Sequence, residues 1–105
     1  MAAVIRQDQF DQCFELIVGL WPATLQVSKE DIPRITHTNH LINHQLKHNL
    51  EHLDYSLARA LQTSVFIFLC DQLKDPNVER ITRTCIDKTK VRAIFDRYPA
   101  FSVAG

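Results

Sequence analysis

The sequence predicts an all-α protein, a small helical bundle organised around one long central helix at about residues 39–73, with short flanking helices. Three observations support this. The chain of 105 residues holds two glycines and four prolines, too few for the many turns of a β-sandwich or barrel. Apolar residues make up 46% of it, which is enough to build a core. The length fits a single helical domain, residues 1–105.

The first predicted element is an amphipathic helix at residues 8–20. Phe10, Phe14 and Ile17 recur at spacings of three and four, which places them on one helical face. We expect the helix to end at Trp21–Pro22, because the residue before a proline avoids the α conformation.

The next stretch, residues 23–38, is predicted to be mostly irregular. Ser28 is a typical helix N-cap and acidic residues follow it. Pro33 lies too far inside for a long helix, so we expect a single turn that ends near Ile35.

The long helix is predicted because about 35 residues between Thr38 and Asp75–Pro76 contain neither glycine nor proline. Ser64 is the soft point, where a separate helix could begin. Residues 65–70, read alone, would also suit a buried strand, since β-branched and aromatic residues dominate them. We favour a helix. The apolar face of the long helix is formed by Ile42, Leu46, Leu50, Leu53, Leu57, Ala60 and Leu61.

The C-terminal segment is predicted to form two short helices. Asn77 is a suitable N-cap for the first of them. The apolar spacing changes phase at residues 87–89, which indicates a break. Tyr98–Pro99 is expected to end the second helix.

All five histidines lie in one stretch, residues 37–52, and the last four are on the predicted long helix. At about 100° per residue they form one ridge opposite the leucine face, and we expect most of them to be exposed. Histidines four residues apart supply two ligands at most and no HExxH motif is present, so we predict no metal site. Three interpretations stay open: a solvated polar face, a partner contact, or a surface that gains charge as the pH falls through about 6.5. The histidines are His37, His40, His44, His48 and His52.

Residues 65–70 are apolar on every side, so they need cover all round. A homodimer or a protein partner bound to the long helix would provide that cover. The predicted partner-binding residues are His40, His44, His48, His52, Phe66 and Phe68.

Charge offers a second interpretation. The chain is neutral overall, but basic residues outnumber acids near the C-terminus, which allows a small nucleic-acid-binding regulator as the alternative. A helix-turn-helix at residues 28–46 fits poorly, because its second helix has no Arg or Lys before Lys47. The predicted nucleic-acid contacts are Arg80, Arg83, Lys88, Lys90 and Arg92.

Other function classes are excluded or disfavoured. Two glycines cannot form Gly-rich phosphate-binding loops, and no set of catalytic residues is recognisable, so we expect neither an enzyme nor a cofactor. Three widely spaced cysteines indicate a reducing compartment, the cytoplasm or the nucleus. The longest apolar run is far shorter than the ~20 residues of a membrane span. The sequence therefore predicts an intracellular protein–protein interaction module: an adaptor, inhibitor or assembly subunit, self-associating or bound to a protein partner.

Overall fold

The computed structural model describes residues 3–26, 32–49, 54–98 and 100–104, which fold into four helices and four short strands. The predicted all-α bundle is therefore wrong. In chain order the elements are β1 (Ala3–Arg6), α1 (Gln7–Leu20), β2 (Thr24–Gln26), α2 (Ile32–Asn49), α3 (Tyr55–Gln72), β3 (Arg80–Thr82), a 3₁₀ turn (Arg83–Cys85), α4 (Lys88–Phe95) and β4 (Phe101–Ala104).

The strands pair into two small sheets. β1 and β4 are parallel, with Val4 opposite Ser102, so the two ends of the described chain lie together. β2 and β3 are antiparallel, with Leu25 opposite Ile81. Each strand has three or four residues, which is shorter than the usual five or six. So short a strand shows little of the alternation that identifies one in a sequence.

The predicted long central helix is two helices, because α2 ends at Asn49 and α3 begins at Tyr55. Asp54 is the N-cap of α3. Its carboxylate accepts hydrogen bonds from the backbone N–H groups of Ser56 (2.9 Å) and Leu57 (3.2 Å). An aspartate at this position satisfies N–H groups that a continuous helix would have bonded internally, so it favours a helix start.

The soft point predicted at Ser64 does not interrupt α3. Both Thr63 and Ser64 are helical, and their hydroxyls donate to the backbone carbonyls four residues earlier, each at 3.0 Å. Residues 65–70 are helical, as favoured over the strand alternative.

One helix, α2, begins at Ile32, where the sequence predicted a single turn that ends near Ile35 and a separate long helix from residue 39. The two predicted elements are therefore continuous at this point. Pro33 is its second residue, where the missing N–H would have no intrahelical partner in any case. The proline therefore does not shorten the helix. The predicted N-cap, Ser28, lies outside the described residues.

The helix predicted from Asn77 is absent from the described structure, where β3 and the 3₁₀ turn take its place. The predicted break at residues 87–89 is confirmed. Asp87 caps α4 there by accepting from the backbone N–H groups of Thr89 (2.8 Å) and Lys90 (3.2 Å).

The first helix is confirmed as α1, and Trp21 leaves it in an extended conformation. α3 packs against each of the other three helices, so the core forms around it. The Phe10 ring meets the edge of the Phe95 ring at 5.4 Å between centroids. Fully buried side chains include Phe10, Cys13, Ile17, Trp21, Leu61, Val65, Leu69 and Val91.

Candidate protein-binding face

Helix α2 has one face in the core and one in solvent. Ile35, Ile42 and Leu46 are buried, and the helix packs mainly against α3. The opposite face, here called the α2 outer face, is exposed along its length and consists of His37, His40, Leu41, His44 and His48.

A buried polar chain fixes the orientation of α2. The indole Nε1 of Trp21 donates to Oε1 of Gln62 (3.0 Å), and Nε2 of Gln62 donates to Oδ1 of Asn39 (2.8 Å). Trp21 and Gln62 are fully buried, so each bond satisfies a group that would be costly to leave unpaired. Because Asn39 faces inward, the α2 outer face is directed away from the core.

The four described histidines are exposed, as the angular arithmetic predicts. The description of a histidine-rich helix is wrong, however, because these side chains do not form a cluster. In the described residues, no group of three or more His, Cys, Asp or Glu side chains could hold a metal ion. One ring pair does meet, His44 and His48, with centroids 4.4 Å apart.

The predicted partner-binding residues do not form one surface. His40, His44 and His48 lie on the α2 outer face, whereas His52 is outside the described residues. Phe68 is only 3% exposed and belongs to the core, while Phe66 is partly buried. Much of the cover for residues 65–70 therefore comes from the chain itself.

Sequence reasoning missed Leu41, which is 52% exposed within the α2 outer face. The signal was present, because four residues at about 100° each place Leu41 some 40° from His37, inside the histidine arc. Leu41 therefore lies on the same face as the histidine rings and not on the face of the core leucines.

The predicted nucleic-acid contacts are largely occupied within the fold. Arg83 donates from Nε to the carbonyl oxygen of Trp21 (2.8 Å) and from Nη2 to that of Gly19 (3.0 Å). These carbonyls lie at the C-terminal end of α1, where oxygens lack helical partners and the helix dipole attracts a cation. Arg83 thus connects the 3₁₀ turn to α1.

Lys88 and Arg92 connect α4 to α1 through contacts with α1 side chains. Lys88 pairs with Asp11 at 3.3 Å and lies over the Phe14 ring at 5.6 Å. Arg92 donates to Oε1 of Gln7 (2.9 Å) and lies 5.4 Å from the centroid of the Phe10 ring. The other two predicted cations, Arg80 on β3 and Lys90 on α4, are exposed and lie on separate elements.

The three cysteines differ in chemistry. Burial, with the Asp54 charge adding to it, raises the pKa of the Cys13 thiol to about 11. Burial also raises the pKa of Cys70. Hydrogen bonding to the Thr82 side chain, at 3.4 Å, lowers the pKa of the exposed Cys85 thiol. Among the described residues, Cys85 belongs to no group of three or more His, Cys, Asp or Glu side chains that could hold a metal ion.

A cleft of about 240 Å³ lies between β2 and the start of α2. It is lined by Pro22, Thr24, Leu25, Gln26, Arg34, Ile35 and Thr38. Sites for drug-sized ligands have volumes of roughly 300–1,000 Å³. The cleft is below that range, so the α2 outer face is the stronger candidate for binding.

Comparison of the chain with known protein families, with curated proteins and with solved structures finds no match. None of the helices in the described ranges has the length and apolar character needed to cross a membrane.

Proposed function

We propose that this chain is a protein–protein interaction module and that the α2 outer face is its binding surface. The observation that carries the proposal is the half-exposed Leu41 among exposed histidines, on a helix anchored by its opposite face. A helix held in this way presents its free side as a rigid surface, which lowers the entropic cost of binding.

The composition of the face supports a protein partner. The centres of protein interfaces are depleted in Lys, Glu and Asp, and none of these residues is among the five of the α2 outer face. The leucine side chain offers an apolar contact, and the imidazole rings offer flat polar contacts.

The nucleic-acid alternative receives less support. Arg83, Lys88 and Arg92 already contact carbonyl, carboxylate, amide or ring groups of α1 and its C-cap. Binding phosphates with these side chains would break contacts that join α1 to the C-terminal elements. The three free thiols favour a reducing compartment, so we place the module in the cytoplasm or the nucleus.

The test is purification of the tagged chain from its native cells, with two variants of matched exposure. Leu41 is 52% exposed and Tyr98 is 53% exposed, but Tyr98 follows α4 and is not on α2. We expect a protein that co-purifies with the wild type and with Tyr98→Ser, and that is lost with Leu41→Ser. Equal recovery with all three chains would contradict the proposal, and so would recovery of nucleic acid alone.

A further inference from the structure

Strand β4 has an edge with no neighbouring strand in the described structure, because its sheet there consists of β1 and β4. The Ala3 N–H donates to the Ala100 carbonyl oxygen (3.2 Å), which fixes the edge of β4 that faces β1. Successive backbone groups point to opposite edges of a strand, so Ser102 also bonds to β1, whereas Phe101 and Val103 face away from it. Each of these two residues presents an N–H and a C=O at the edge away from β1, here called the open edge.

The backbone groups of the open edge are available to a partner. Among the described residues, none forms a backbone hydrogen bond to Phe101 or Val103 outside the β1–β4 sheet. Strand edges in proteins are commonly protected by charged side chains, prolines or bulges. β4 has the sequence Phe-Ser-Val-Ala in an uninterrupted register and contains none of these. The open edge is therefore suited to pairing with another strand.

The side chains at the open edge are apolar and incompletely buried. Phe101 and Val103 pack against the core, and the Phe101 ring stacks on the Phe95 ring with centroids 6.1 Å apart. Both side chains still keep part of their surface in solvent. The outer edge of β1 offers less, because the Arg6 N–H already donates to Oε1 of Gln9 (2.8 Å). Of these two edges, that of β4 has both free backbone groups and apolar surface to cover.

We propose that two copies of the chain pair through β4, antiparallel, around a two-fold axis at Ser102. In this register Phe101 of each copy lies opposite Val103 of the other, and every N–H and C=O of the two open edges gains a partner. The Phe101–Val103 pairs lie on the core side of the sheet, where aromatic and β-branched side chains form stabilising cross-strand contacts. The two Ser102 side chains meet on the outer side. The result is a sheet with the strand order β1-β4-β4-β1.

The complementarity of β4 to itself favours a second copy over a strand of another protein. The strand has no charged residue, so the antiparallel pairing brings no like charges together. The same two residue pairs form on both sides of the axis, as a two-fold interface requires, and such an interface closes at the dimer. The α2 outer face and Tyr98 lie outside the paired strands, so the pairing uses neither of them.

Sedimentation equilibrium of the full chain tests the pairing. Two strands of four residues bury less area than the ~1,600 Å² of a standard interface, so we expect a weak dimer with a Kd of about 100 µM. Loading concentrations from about 10 µM to about 1 mM cover that transition. The affinity should not change with salt concentration, since β4 carries no charge for salt to screen.

Charges placed at Ser102 test the register. This side chain is exposed, so its substitution leaves the core unchanged. Ser102→Lys and Ser102→Glu should each weaken self-association about fivefold, because like charges then lie directly opposite each other across the axis. An equal mixture of the two variants should associate at least as tightly as the wild type. Ser56→Lys adds the same charge at an exposed serine of α3 and should leave the dimer unchanged. Circular dichroism of each variant confirms the fold.

Several results would overturn the inference: a wild-type monomer at about 1 mM, a dimer that tolerates both substitutions of Ser102, or variants whose mixture does not recover association. A dimer that is lost with Leu41→Ser and kept with Ser102→Lys would place the contact on α2 instead. A monomer that binds a cellular protein only while Ser102 is uncharged would make a strand of another protein the occupant. The proposed function does not depend on this pairing, since it concerns the α2 outer face.

Discussion

Helix α2 and the basic segment at residues 80–92 both carry excess positive charge, but the fold uses them in opposite ways. The basic segment has five cations and one acid, so it is the more charged of the two. Yet Arg83, Lys88 and Arg92 are bound to groups of α1 and its C-cap. The α2 outer face has no Lys, Arg, Asp or Glu among its five residues, and all five are exposed to solvent. Excess positive charge in a sequence therefore does not by itself indicate a binding surface, because the fold can use those cations for its own contacts.

The largest effect is expected where α2 is anchored. Gln62→Ala removes the partner of the Trp21 indole N–H and of Asn39, and leaves a small cavity. We expect a loss of about 2–4 kcal/mol in unfolding free energy, measured by urea denaturation. Gln45→Ala, at an exposed position of α2, should change the unfolding free energy by less than about 0.5 kcal/mol. Similar stability for the two variants would mean that the polar chain does not hold α2.

A smaller loss of unfolding free energy is expected where the basic segment contacts the C-terminal end of α1. Arg83→Ala removes two charge-assisted hydrogen bonds at the end of that helix. Because the side chain is partly exposed to solvent, we expect a loss of about 1–2 kcal/mol. Arg80→Ala, three residues earlier, should stay within about 0.5 kcal/mol. If the two substitutions cost the same, the cations of this segment are not structural and the comparison with α2 fails.

The buried Cys13 and the exposed Cys85 are expected to differ in how they affect stability at alkaline pH. Since burial raises the pKa of Cys13 to about 11, folding favours the protonated thiol. This contribution to stability is complete below the pKa of an unfolded cysteine, about 8.5, and is lost as the pH rises through the folded value. Denaturation curves between these pH values should therefore show a loss of stability that is smaller in Cys13→Ala and unchanged in Cys85→Ala. An identical pH profile for all three chains would contradict the buried state of Cys13.

The smallest effect is expected on the α2 outer face. His44→Gln combined with His48→Gln removes the paired rings, which are exposed and outside the core. We expect a change below about 0.5 kcal/mol in unfolding free energy, since neither ring is needed for folding. A loss as large as that of Arg83→Ala would show that the histidines pack within the domain, and that α2 has no free face.

Much of the local structure could be predicted from single residues. α1 and its end at Trp21–Pro22, the cap at Asp87 and the exposed histidines each follow from spacing or from one capping residue. The strands could not, because three or four residues such as Arg80–Thr82 acquire a strand conformation only through a partner distant in sequence. Asp54 was readable as a cap, but the absence of glycine and proline around it favoured one continuous helix.

The candidate site was predictable in position but not in composition. Helical angles place the histidines on one face and also place Leu41 among them, whereas grouping residues by type left Leu41 out. The roles of Arg83 and Lys88 could not be found from the sequence. Their partners on α1 lie more than 60 residues away, and only the tertiary fold brings them together.

The most direct test of the central claim is site-specific photo-crosslinking in the native cell. A photoreactive phenylalanine analogue replaces Leu41 in one chain and Tyr98 in another, two positions of nearly equal exposure. If the α2 outer face binds a protein and the basic C-terminal segment serves the fold, position 41 should give a discrete adduct larger than the chain, and position 98 should give none. An adduct from position 98 with none from position 41 would contradict the account.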